Sequence, residues 1–205
     1  MSNRFFLLLL LLLVVNLPIS ALSADGERVY VYKDYNALEN QGVWGSIMPA
    51  RAAEISSALF KTFQTPGWEG KGTAVQILFD LTQPPNWAGI VVPVHENYWG
   101  EWRASALDLS KAKKLVFYAR GEAGGEQIQV KAAIATDKPY GDSALIPITS
   151  AWLPLEKDWK RFEIPVDGSQ LQRVITPFSI MANKAHNPPA RITLYVDEIY
   201  YELAE

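Results

Sequence analysis

The stretch Lys114-Leu115-Val116-Phe117-Tyr118-Ala119-Arg120-Gly121-Glu122-Ala123-Gly124-Gly125-Glu126-Gln127-Ile128-Gln129-Val130-Lys131-Ala132 decides the fold. Two runs rich in β-branched and aromatic residues flank a Gly-Gly turn, the pattern of an antiparallel hairpin. Strict alternation in the second run turns Ile128, Val130, Ala132 and Ile134 to one side, and Gln127, Gln129 and Lys131 to the other. The first run is apolar on both faces, so it is either covered on both sides or lines a ligand-binding face. Gly121 and Gly124-Gly125 supply positive φ for the turn. No helix follows them, so they do not form a nucleotide-binding loop.

The same texture extends outward in both directions. Turn residues recur roughly every 8–12 positions between short apolar runs, as in a sandwich or barrel. Strands are predicted over 29–33, 58–63, 74–79, 87–94, 114–120, 127–135, 159–164, 175–182 and 191–201. Only 51–57 reads as a short helix, and 169–173 as a helical turn. In the last strand Ile192, Leu194 and Val196 share one parity, and Ile199 and Tyr201 the other. A bulge near Asp197-Glu198 would return both sets to the core and re-aim Asp197. Asp197 is then either a metal ligand or a solvated acid on a bent strand.

The N-terminus has its own logic. Arg4 precedes an apolar run from Phe5 to Val15, and small residues end in Ala21-Leu22-Ser23-Ala24. A run of about 11 residues is too short for the ~20 that span a bilayer. Residues 1–24 therefore read as a secretory signal peptide, cleaved after Ser23 or Ala24. Residues 25–205 are expected to form one domain, exported to the periplasm or cell exterior, with a bacterial envelope as the natural setting. Net charge is −3, with no basic run, which argues against nucleic acid or anionic lipid as partner. Cysteine is absent, so disulfides, thiol nucleophiles and thiolate metal sites are excluded.

Three segments together resemble a known family: Leu107–Glu122, Asp158–Pro165 and the closing Ile192-Thr193-Leu194-Tyr195-Val196-Asp197-Glu198-Ile199-Tyr200. Their order is similar to the jelly-roll carbohydrate-binding modules of the galactose-binding-like superfamily. The resemblance implies an all-β, two-sheet antiparallel sandwich. It also implies a non-catalytic module that binds a poly- or oligosaccharide through loop and concave-face aromatics. Asp197 matches an acid that ligates a structural calcium ion in many relatives; Asp34 or Glu54 would supply the second acid. The same fold also serves as an envelope protein-interaction or assembly domain, and a jelly-roll polysaccharide hydrolase or lyase is a third reading.

Sugar binding needs a flat aromatic face with polar groups around it. Among seven tryptophans, those in Gly-, Pro- and polar-flanked stretches are the candidates. They give Trp87, the cluster Tyr98, Trp99, Trp102 and Arg103, and the loop residues Tyr140 and Asp142. Each has a structural alternative as a loop anchor. Signs of catalysis are sparse. His95 and His186 lie far apart, and there is neither a Gly-x-Ser-x-Gly elbow nor a His-Glu-x-x-His pair.

Overall fold

A computed structural model describes residues 26–35, 37–44, 46–48 and 58–205. The signal peptide, Glu54 and the short helix expected at 51–57 lie outside them. The first sheet runs in the order β10 (Lys160–Pro165), β6 (Ala112–Gly121), β12 (Arg191–Leu203), β4 (Thr73–Asp80) and β3 (Ala58–Pro66), and β1 (Arg28–Tyr32) also pairs with β12. The second runs β2 (Ser46–Met48), β5 (Trp87–Val92), β11 (Phe178–Asn183), β7 (Gln127–Ala132) and β8 (Ile148–Thr149), with β9 (Leu153–Pro154) also on β7. All pairings are antiparallel, and the two sheets form the expected jelly-roll sandwich.

Alternation explains the core. Ile128, Val130 and Ala132 of β7 meet Phe178, Ile180 and Ala182 of β11 and Ala88, Ile90 and Val92 of β5 in one buried cluster, with Leu115 and Phe117 from the facing sheet. Phe162 stacks on Phe117 at 5.2 Å. Trp159, just before β10, instead lies under the Arg120 guanidinium. β7 stops earlier than its pattern suggests. Ala133 takes φ 54°, and the chain leaves the sheet to bond Thr176. Ile134 is consequently half-buried and lines a groove.

β12 carries the expected bulge. Asp197 pairs with Tyr118 and Tyr200 with Val116, so β12 has one more residue than β6 over that interval. Glu198 absorbs it at φ 48°. Ile192, Leu194 and Val196 before the bulge, and Ile199, Tyr201 and Leu203 after it, all reach the core. At the same point β12 changes neighbour, from β4 along Arg191–Val196 to β1 along Ile199–Glu202. On the outer side of β6, Trp68 stacks on Tyr118 at 4.4 Å. In the β6–β7 turn, Gly124 and Gly125 have φ of 79° and 94°. Gly121 is extended, and its missing side chain leaves room for the Glu126 carboxylate.

Candidate functional site

The outer face of the second sheet is built from the residues that alternate with the core. Cross-strand pairing sets them in rows across the strands. Met48, Gly89, Met181 and Gln129 form one row, with Trp87 and Asn183 on one side and Val91, Ser179, Lys131 and Thr149 on the other. Adjacent rows lie roughly 6–7 Å apart, two residues of strand rise. Gly89 keeps the middle of the face low between two methionines, whose pliable thioethers suit an irregular apolar ligand face. The result is an open groove of about 700 Å³. Pro85 and Asn86 border it at the Trp87 end, and Ile146 and Pro147 at another wall. Ile146 is 78% exposed, an unusual state for isoleucine. Among the described residues, Lys131 is the only charged one lining the groove.

Of the residues singled out in the sequence, Trp87 alone lines this groove. It opens β5, whereas Tyr98, Trp99, Trp102 and Arg103 follow the other end of that strand, about 16 Å away by strand rise. There two loops lock together. Tyr98 is fully buried and donates its hydroxyl hydrogen to the Tyr140 carbonyl at 3.0 Å. Arg173 Nη2 donates to Tyr98 Oη and to the Tyr140 carbonyl, both at 2.8 Å, while its Nε donates to the Tyr140 and Gly141 carbonyls. Asp142 is 7% exposed. It accepts from the main-chain N–H of Ala135, Ile175 and Thr176 and from the Thr176 hydroxyl. Tyr98 and Asp142, expected as ligand contacts, thus spend their polar atoms inside the protein. Trp102 and Tyr140 stay 53% and 42% exposed, Arg103 is exposed, and Trp99 is half-buried.

A third feature surrounds the β12 bulge. Asp197 is 3% exposed and accepts from the Trp68 N–H at 2.7 Å and the Glu198 N–H at 2.9 Å. Burial pushes its carboxyl up to about 7, and the nearby charges of Glu198 and Asp34 push the same way. Asp34 accepts from Thr73 N–H and Oγ1 and from Tyr35 N–H. Hydrogen bonds to Thr73 and Tyr35 outweigh its desolvation and hold its carboxyl below the usual range. A Cβ on Gly67 would strike both the Asp197 carboxylate and the Lys71 carbonyl, and one on Gly72 would strike the Asp34 carboxylate. This cradle of oxygens matches in kind the hard donors that calcium takes. Among the described residues no three His, Asp or Glu side chains gather in a metal-binding group, so main-chain carbonyls would have to complete the shell.

The groove residues other than Trp87 escaped the sequence reading. Met181 and Asn183 carried a signal, since both alternate with core residues of β11, but nothing in the sequence says which strands flank them.

No protein-family model matches the sequence, and no curated protein matches it. Solved structures do. A family 30 carbohydrate-binding module superposes with TM-score 0.59 at 15% identity, over 87% of this chain and 89% of that one. The family 11 module from Clostridium thermocellum, solved in complex with a β-1,3-1,4-mixed-linked tetrasaccharide, gives TM-score 0.53 at 17% identity, over 89% and 98%. A family 30 module of a cellulosomal cellulase from the same organism gives 0.55 at 15%, over 87% and 99%. These likenesses establish the fold, a jelly roll of the kind that carbohydrate-binding modules build.

Proposed function

We propose that this chain is an exported, non-catalytic module that holds a single glycan chain in the groove across the second sheet. The observation that carries the reading is the groove floor. Trp87 offers an aromatic ring, Met48 and Met181 an apolar bed around Gly89, and Asn183, Asn86, Ser179 and Thr149 bonds for hydroxyls. Glycoside hydrolysis requires two carboxylates, and among the described residues no Asp or Glu lines this groove. The mixed-linkage tetrasaccharide bound by the family 11 neighbour is a rational first ligand. Affinity electrophoresis of the purified protein in mixed-linkage β-glucan, xylan and galactomannan tests the proposal. Trp87→Ala should weaken retention at least about tenfold, with the circular-dichroism melt unchanged. Retention equal to wild type would remove the groove from consideration.

Asp197 and Asp34, with the Lys71 carbonyl, are the residues that would hold a structural calcium ion. Bound there, calcium would offset the buried negative charge and tie β1 to the bulge of β12. Melting temperature at neutral pH should rise on adding calcium to protein stripped with EDTA, and Asp197→Asn should abolish the rise. Export is checked by N-terminal sequencing of secreted protein, which should begin at Ala24 or Asp25.

A further inference from the structure

Asn183 ends β11 directly across from Trp87 and lines the groove. Its Oδ1 accepts from the main-chain N–H of His186 at 2.9 Å and lies 2.9 Å from Nδ1 of the same residue. The His186 ring is in turn stacked on Trp152, with centroids 3.8 Å apart and planes 15° from parallel. A main-chain N–H can only donate, so the atom it meets is the amide oxygen; a flipped amide would set donor against donor. With Oδ1 fixed there, Nδ1 of His186 carries its proton, because an unprotonated Nδ1 would meet the oxygen lone pair to lone pair. The amide oxygen of Asn183 is thus spent inside the protein. No described residue accepts from its Nδ2, and that atom is not sealed from solvent. Ser179, further along the same strand and also lining the groove, has the reverse polarity. Its hydroxyl donates to the Lys131 carbonyl at 2.9 Å, which leaves the groove its lone pairs. An amide already held through its oxygen loses little freedom when a ligand meets its nitrogen.

We propose that Asn183 is a dedicated hydrogen-bond donor to the glycan beside Trp87, and that His186, steadied by Trp152, is the positioning residue that fixes its polarity. The ligand must then present an acceptor oxygen at this point. The ligand class rests on the groove reading, but the lock itself is read without any ligand. Imidazole nitrogen NMR of the free protein in alkaline buffer should show the His186 proton on Nδ1, with His186→Phe identifying the signal. A proton on Nε2 overturns the lock. The ligand probe is the mixed-linkage β-1,3-1,4-glucan tetrasaccharide. During titration the Asn183 side-chain amide protons, identified by their absence in Asn183→Asp, should shift and exchange more slowly. Amide signals unmoved at saturation overturn the donor and leave the groove standing. In calorimetry His186→Phe, which keeps a ring on Trp152 but loses Nδ1, should bind about fivefold more weakly. His186→Asn, whose amide nitrogen takes the place of Nδ1, should bind within about twofold of wild type. A purely structural histidine would lower the melting temperature in both variants and leave affinity alone. Wild-type affinity in folded His186→Phe, or an equal loss in both variants, therefore overturns the positioning role. Trp87→Ala should weaken tetrasaccharide binding with the His186 signal of the free protein unchanged. A wild-type protein that binds no tetrasaccharide overturns groove and donor together for this glucan.

Discussion

Removing the Asp142 carboxylate would leave the N–H groups of Ala135, Ile175 and Thr176 without their acceptor in a buried setting. Asp142→Ala is expected to lose about 3 kcal/mol in urea unfolding, while Asp142→Asn, which retains one carbonyl oxygen, should lose less. In the sequence the same residue reads as exposed, because it follows Lys138-Pro139-Tyr140-Gly141. Two of its three main-chain donors, Ile175 and Thr176, lie more than thirty residues away, which no local pattern encodes. Asp197 makes the opposite kind of prediction. Its folded carboxyl titrates at about 7, against an ordinary value of 3.8. Between those pH values the folded protein keeps a proton that the unfolded chain has shed, so this residue's contribution falls as pH rises. In EDTA, wild type should lose more stability from pH 4.5 to 7.5 than Asp197→Asn. Parallel losses in urea titrations would refute this assignment.

At the scale of the element, β12 shows what a sequence can disclose. The parity break between Val196 and Ile199 was readable because thirteen residues of strand give enough periods to expose it. Deleting Glu198 would restore perfect alternation with Ile199, Tyr201 and Leu203 still inward, whereas inserting one residue after it would turn Tyr200 and Glu202 inward and those three outward. That insertion should yield insoluble protein, whereas deletion of Glu198 and Glu198→Gly, which suits φ 48°, should both remain soluble and folded. Strands β2, β8 and β9 offered no comparable signal. Two or three residues cannot display a period, and these strands exist only because β5 and β7 provide edges to pair with.

Across the whole molecule, the fold was legible further than the site. Alternation and turns define strands, and the family-like segments in the second half define their packing. The groove draws on β2, β5, β11, β7 and β8, whose lateral order differs from their order in the chain. Trp87 could therefore be singled out as an aromatic, but its neighbours Met48 and Met181 could not. The groove's near neutrality has a measurable counterpart. With Lys131 as the one ionic group among its described residues, affinity for a neutral glucan should change less than about twofold between 0.05 and 0.5 M NaCl, because screening acts on charge pairs. A steep salt dependence in calorimetry would indicate an acidic glycan instead.

The pairing of β1 with the C-terminal half of β12 sets Arg28 opposite Glu202. The polypeptide thus enters and leaves this domain side by side in the first sheet, while the groove opens on the far side of the sandwich. The domain is therefore built like a cassette with both leads on its back. Whatever is spliced to either lead sits behind the groove, and a short bridge between the leads would let the chain be reopened in a distant loop without disturbing it.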